Sequence, residues 1–260
     1  MTVEAILSMI GTEKIPTTET SPIEVKQPLA EYGLDGVDCP ICNNTGQIYY
    51  EKDGYPYSRD CECMAKRRSI RELNLSGLKS LSEIYTFDKY IPDNNLSAKL
   101  LEKAKEYIED SPKWFFVSGR PGSGKTHICT AICLELINRG ARTTYMLWRD
   151  DSVKLKSAIA GDPEYYDKRI KQLKNVPVLY IDDLFKGGAN GADIKLAFEL
   201  LNYRYNQTQT RTIISTELDF KALRKIDDAL ASRIYKRSAG YCRRSPDRNY
   251  RIDPPCDITN

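Results

Sequence analysis

The spacing of apolar side chains divides the chain into three stretches. Near the start, Val3, Ile6, Leu7 and Ile10 recur at helical spacing, and the TEKIPTTETSPIEVKQP that follows is too polar to build a core. A helix and a flexible linker are expected over 1–38. From 39 to 78 the pattern is irregular, with turns at Gly46 and Gly54, and it closes in the basic run Lys66, Arg67, Arg68 and Arg71. A module this small needs a staple to fold. From Ser97 the pattern becomes regular. A Ser-capped helix carrying Leu100, Leu101, Ala104, Tyr107 and Ile108 leads into the apolar strand WFFVS, a glycine loop, a helix over 126–138 and the strand TTYML. A polar stretch of helical pattern over 150–175 follows. It precedes the strand VPVLYIDD, a Gly-rich loop, a helix with Ile194, Leu196, Phe198, Leu200 and Leu201, the strand RTIIST, two short helices and a basic tail. Strand and helix alternate, which predicts an α/β domain over 79–260 with a parallel sheet covered on both faces.

Composition narrows the function classes. Lys and Arg number 39 against 36 Asp and Glu, a formal charge of +3 spread along 260 residues, so any nucleic-acid contact must come from local patches. No apolar run approaches the ~18 residues of a spanning helix, and no membrane partner is expected. The opening MTVEAILSMIGTEKIP places an acid where an export signal is positive, so a cytoplasmic location is expected.

Four of the eight cysteines cluster as Cys39-Pro-Ile-Cys42 and Cys61-Glu-Cys63 across 18 intervening residues. Two close thiol pairs in a segment without a core suit a tetrahedral Zn²⁺, closed by four ligands and therefore structural. The sole histidine, His127, lies elsewhere, so no imidazole competes for that role.

Gly119, Arg120, Pro121, Gly122, Ser123, Gly124, Lys125 and Thr126 fit G-x-x-x-x-G-K-[ST] between an apolar strand and a helix. Glycines let backbone N–H groups close around phosphates, Lys125 reaches the β and γ phosphates of ATP, and Thr126 ligates Mg²⁺. His127 is the next residue of the same nucleotide-binding run. About 55 residues on, a strand ends in Asp182 and Asp183, as in P-loop ATPases. Asp182 would hold Mg²⁺ through water and Asp183 would orient the attacking water. Ser215 and Thr216 end the RTIIST strand, where either could touch a γ-phosphate or simply stop a strand. Arg233 and Arg237 lie four apart on one helix, and each is open to two readings, a finger for a neighbouring subunit or solvated charge.

Together GRPGSGKTH, VLYIDDLFK, LNYRYN, TIISTE and ALASRI, preceded by CPIC…CEC, resemble the DnaC/DnaI-type bacterial replicative helicase loaders, phage-encoded relatives above all. The resemblance runs from about residue 39 to 251 and implies an AAA+ P-loop ATPase core with a parallel five-stranded sheet in the order 5-1-4-3-2, preceded by a small four-cysteine zinc-binding module over 39–78 that docks a helicase. It implies an ATPase whose hydrolysis is slow and stimulated by DNA or a partner, and which assembles as a homo-oligomer with ATP or helicase. Its expected partners are a DnaB-family helicase and single-stranded DNA, and its cofactors ATP, Mg²⁺ and Zn²⁺. Carried over residue by residue, Lys125 and Thr126 are the Walker A pair, Asp182 and Asp183 the Walker B pair, and Arg233 the trans-acting finger. Thr216 falls at sensor 1, where such proteins often carry Asn, leaving the role between it and Ser215. Arg204 resembles a position facing the subunit interface. The 151–174 stretch falls where this clade carries a helix near single-stranded DNA; Lys154, Lys156, Lys168, Arg169 and Lys171 suit phosphates, whereas Asp151, Asp162, Glu164 and Asp167 suit a merely solvated helix. Transposition helpers of the IstB type share a similar core, and a nonenzymatic ATP-bound adaptor is the remaining alternative.

Overall fold

The structure, a computed structural model, describes residues 36–75, 79–110 and 112–252. The helix and linker expected over 1–38 lie outside the described residues except for 36–38. The described chain opens with an antiparallel hairpin of β1 (Gln47–Lys52) and β2 (Tyr55–Asp60). Asp53 and Gly54 join the strands at φ 55° and 78°, the left-handed pair that a two-residue hairpin turn demands. Helix α1 (Cys63–Leu75) follows, then the short α2 (Lys79–Ser82) and α3 (Asn95–Glu109). Asn94, not Ser97, caps α3: the Asn94 side chain accepts from the Ser97 backbone N–H, while the Ser97 hydroxyl accepts from the Asn94 N–H. Ser97 is thus the third-position half of a capping box, which displaces the expected start by one turn.

The main sheet is built from β3 (Trp114–Ser118), β4 (Thr143–Leu147), β5 (Val178–Asp182), β6 (Arg211–Thr216) and β7 (Cys242–Arg244). Its order is β4-β5-β6-β3-β7 and every pairing is parallel, the expected 5-1-4-3-2 arrangement counted from β3. The fifth strand lies in what the pattern presents as a basic tail. Cys-Arg-Arg carries no apolar alternation, and only its pairing with Phe116, Val117 and Ser118 makes it a strand.

Alternate residues on each strand feed opposite cores. Trp114, Phe116, Leu179, Ile181 and Ile214 point into one cluster, and Phe115, Val117, Val178, Tyr180 and Ile213 into the other. The first cluster is covered by α5 (Trp148–Gly161), α6 (Pro163–Asn175), α7 (Gly191–Asn206), α8 (Phe220–Ile226) and α9 (Asp228–Arg237). The second is covered by α3 and α4 (Lys125–Asn138). Burial on both faces explains why these strands read as continuous apolar runs. The polar stretch over 150–175 is two helices, because Pro163 cannot continue α5 and Asp162 caps α6 by accepting from the Tyr165 N–H.

Two arginines are set inside this framework. Arg204 on α7 is fully buried. It donates to the Thr212 hydroxyl and to the carbonyls of Leu173, Lys174, Val176 and Arg211. It therefore closes the end of α6 and the entry to β6 and faces no subunit interface, which corrects the reading drawn from the resemblance. Helix α1 is likewise not confined to the cysteine module. Leu73 belongs to the second core, and the Ser69 hydroxyl accepts from the Thr143 N–H and donates toward the Ala65 and Ala141 carbonyls, fastening α1 beside β4.

Replacing Arg204 by Met should cost about 3 kcal/mol or more, because the methylenes are kept while five buried acceptors lose their donor. Thermal unfolding should show a clearly lowered Tm. An unchanged Tm would mean that the arginine does not hold these segments together.

Candidate functional site

The glycine loop joins β3 to α4 at the carboxyl ends of the central strands, where open parallel sheets place their ligands. A cavity of about 340 Å³ opens there. The loop residues Gly122, Ser123, Gly124, Lys125, Thr126 and His127 form its floor, and Asp183, Lys186 and Glu217 stand at one side. Tyr85, Lys89, Tyr90 and Ile91 reach it from the segment before α3, and Tyr250 and Arg251 from the chain's far end.

Lys125 is buried, and its ammonium donates to the carbonyls of Gly119 (2.9 Å) and Arg120 (2.8 Å), folded back over the loop. Burial lowers its pKa, opposed by the negative charges of Asp183, Glu217 and Asp182. A cation with so little water around it is a strong electrostatic partner for an entering phosphate. His127 stacks on Tyr85 at 4.8 Å and meets Tyr90 edge-on at 5.1 Å, with Nε2 2.9 Å from the Thr86 carbonyl. Burial lowers its pKa too. These flat rings give the cavity an aromatic wall opposite its charged one.

Asp182 is the most constrained group of the site. Its carboxylate is buried at 4% exposure and accepts from Tyr180 (2.7 Å), Tyr145 (3.1 Å) and the Ser215 hydroxyl, with the Thr126 hydroxyl at 3.4 Å. All four donors are neutral. Burial, and then the Asp182 charge, raise the pKa values of both tyrosines and so keep them protonated as donors. Among the described residues no Lys or Arg forms an ion pair with Asp182. A buried carboxylate surrounded by hydroxyls and facing the Thr126 Oγ1 is a donor set suited to Mg²⁺, which prefers hard oxygen ligands.

Asp183 lies just past the strand at φ 56°, a conformation rare for a residue with a side chain, and Phe185 at φ 60° repeats it. The backbone turns there so that the Asp183 carboxylate enters the cavity, where it pairs with Lys186 at 2.6 Å. That hydrogen bond raises the Lys186 pKa. Ser215 fixes the turn from below, accepting from the Asp183 N–H at 2.9 Å while donating to Asp182.

Neither strand-end hydroxyl is free to meet a phosphate. Ser215 is used between the two aspartates, and Thr216 donates to the Leu184 carbonyl (2.7 Å) and accepts from the Leu218 N–H (3.1 Å). The β6-end side chain that reaches the cavity is Glu217, 3.4 Å from Lys186. Arg233 lies outside the cavity. Its guanidinium stacks over Phe198 (5.0 Å) and Tyr205 (5.7 Å) and donates to the Ala229 carbonyl. Arg237 is turned toward the carbonyls of Gln207, Thr208 and Thr210, where it closes the loop after α7.

The sequence pattern did not indicate the contact between the chain's end and the glycine loop. Ser245 bridges the Ser123 hydroxyl (2.6 Å) and the Ser118 carbonyl, and the Tyr250 N–H donates to the Gly122 carbonyl (2.9 Å). A Cβ on Gly119 would meet the Ser245 hydroxyl at 1.9 Å, and one on Gly122 the Asn249 side chain at 1.8 Å. These glycines thus leave room for the tail as well as for a phosphate. Asp93 anchors the tail's other side, accepting from Arg248 (2.7 Å) and Tyr250 (2.6 Å).

Cys39, Cys42, Cys61 and Cys63 converge at the base of the hairpin, with their sulfurs within 4.8 Å of one another. The Cys39–Cys61 and Cys42–Cys63 separations are 3.7 and 3.6 Å, far longer than a disulfide. They match the ~3.8 Å between ligands of a tetrahedral metal with ~2.3 Å bonds to sulfur. Arg67, which the sequence presents as part of a basic run, is buried and donates to the Val37 carbonyl and the Asn44 side chain. Asn44 in turn accepts from the Cys39 N–H, so Arg67 ties the first thiol turn to α1.

The sequence profile described as "IstB-like ATP binding protein" matches residues 57–246. The phage-like element PBSX protein XkdC of Bacillus subtilis is 29% identical over 255 residues, covering 92% of this chain and 91% of that one. Replicative helicase loader DnaC of Escherichia coli is 30% identical over 117 residues, covering 44% of this chain and 48% of its own. Among solved structures, that of DnaI superposes with a TM-score of 0.53 at 20% identity, over 64% of this chain and 92% of that one. Among the described residues no helix is long and apolar enough to cross a membrane.

Ser215→Ala leaves Asp182 short of one donor and the Asp183 N–H without its acceptor. ATP turnover should fall about tenfold or more, the loss expected for a hydrogen bond to a charged group. Steady-state hydrolysis checks this, and full activity would show that the hydroxyl does not position the aspartates.

Proposed function

The chain belongs to the family of IstB-like ATP binding proteins, and from that membership we propose that it is an ATP-dependent loader that delivers a hexameric DnaB-type replicative helicase onto single-stranded DNA at the start of replication. The observation that carries this reading is the cavity in which Lys125, Thr126, Asp182 and Asp183 converge, together with relatives named as helicase loaders. Lys125 would leave the loop carbonyls for the β and γ phosphates, and Thr126 and Asp182 would hold Mg²⁺. Asp183, released from Lys186, would orient the attacking water. The bound Mg²⁺ supplies charge neutralisation on the phosphates.

Arg233 cannot serve its own chain's cavity, since it is stacked on Phe198 and Tyr205 outside it. A preformed, partly desolvated arginine on an outer helix suits a finger offered to a neighbouring copy, which makes an ATP-dependent homo-oligomer part of the proposal. A structural Zn²⁺ on the four thiols would fix the hairpin and the start of α1 in a docking module for the helicase. The basic side chains Lys154, Lys168 and Arg169 line a second cavity, together with Arg71 of α1, and would follow the DNA backbone there. The name of the XkdC relative supports a phage-like element in a bacterial cell as the origin, and with it a cytoplasmic location. The IstB-like family description favours one other reading, a transposition helper acting with a transposase.

Arg233→Ala should leave nucleotide affinity intact and lower ATP turnover by about 10³-fold. Lys125→Ala should abolish ATP binding while keeping its own Arg233. Mixing the two inactive proteins should restore part of the activity, because some interfaces then pair an intact cavity with an intact finger. No recovery in any ratio would contradict a shared site. Capture of purified DnaB-type helicase, but not of transposase, distinguishes the loader from the helper.

A further inference from the structure

The hairpin of β1 and β2 is the most exposed regular element of the described chain, and it carries four uncovered tyrosines, Tyr49, Tyr50, Tyr55 and Tyr57. Its register sorts the side chains by face. Ile48 pairs with Arg59, Tyr50 with Tyr57 and Lys52 with Tyr55, so these six residues share one side. Gln47 pairs with Asp60, Tyr49 with Ser58 and Glu51 with Pro56 on the other. The two faces differ chemically. The first holds three tyrosines and both cations of the strands and no carboxylate. The second holds both carboxylates, one of which, Asp60, is already paired with Arg68 of α1.

On the first face, Ile48 packs against the cysteine cluster at the base, leaving the aromatic and cationic side chains outward. Tyr50 and Tyr57 are stacked at 5.8 Å with ring planes 21° apart. Tyr55 follows Tyr57 about 7 Å along the strand, far enough for a separate base. Among the described residues neither Lys52 nor Arg59 has an ion-pair partner. Hairpin stability alone accounts for the cross-strand ring pair. It does not account for Tyr55, 68% exposed at the tip, or for the exclusion of carboxylates from that face.

We propose that this face is a binding site for single-stranded nucleic acid, with unstacked bases lying on Tyr50, Tyr57 and Tyr55 and Lys52 and Arg59 meeting the phosphates. Exposed rings interleaved with unpaired cations form the combination by which proteins hold single strands without reading their sequence. An acidic protein segment would use the cations but has no need of three rings. The site is separate from the ATP cavity and from the basic side chains of α5 and α6. It would give the chain a second grip on a strand, on the module that carries the thiols.

The test uses the full-length protein and two fluorescently labelled probes of equal length, an oligothymidylate and the same backbone without bases, read by anisotropy. Wild type should bind the oligothymidylate more tightly than the abasic strand. Tyr50→Ser with Tyr57→Ser should weaken oligothymidylate binding about tenfold or more and leave the abasic strand unaffected. Tyr55→Ser, outside the cross-strand ring pair, should produce a smaller loss in the same direction with the hairpin intact. ATP affinity serves as the folding control, and since these variants avoid the ATP cavity it distinguishes failure here from failure of the loader reading. Equal wild-type affinity for both probes, or oligothymidylate binding unchanged in the tyrosine variants, would overturn the proposal. Loss of helicase capture with DNA binding intact would assign the face to a protein partner and overturn it equally.

Discussion

A single buried carboxylate organises the centre of this protein. Asp182 ends β5 inside the sheet, where an isolated negative charge is costly, and it is held there by hydroxyls from three strands and one helix. Tyr145 comes from β4, Tyr180 from β5 itself, Ser215 from β6 and Thr126 from α4. The strand order places those donors around it: β4 and β6 flank β5, and β6 lies beside the β3 strand that launches the glycine loop. Because every donor is neutral, the charge is solvated without being cancelled. That arrangement leaves a net negative centre beside the phosphate loop and so favours a cation at that point.

Much of this was legible before any coordinates. The apolar runs located the four longer strands because burial on both faces removes polar alternation. The glycine loop was legible because its chemistry permits few residue types. What escaped the pattern depends on tertiary contact. Arg204 and Arg67 look like surface charge in sequence, and only folding shows them satisfying buried carbonyls and an amide. Ser215 reads as a strand end or a phosphate sensor, yet its hydroxyl is used between two aspartates. Cys242, Arg243 and Arg244 carry no strand signal, since their pairing is supplied by β3. The seat of the tail on Gly119 and Gly122 joins segments more than a hundred residues apart, which no local pattern encodes.

The cysteine module is connected to the ATPase core more directly than its composition implies. Its second thiol pair sits at the start of α1, whose later turns are bound to β4 through Ser69 and to the core through Leu73. Arg67 returns from the same helix to the first thiol turn. Order at the thiols is thereby continuous with the edge of the sheet, and α1 gives a mechanical route between what binds the hairpin and what binds the glycine loop.

The central claim, that the Asp182 charge is held uncancelled for a metal ion, is tested most directly by the Mg²⁺ dependence of ATP affinity. Titration calorimetry with and without Mg²⁺ should show a marked gain in affinity for the wild type. Asp182→Asn, which keeps the volume but removes the charge, should lose that gain while retaining the metal-free affinity. The same Mg²⁺ gain in the variant as in the wild type would contradict the account.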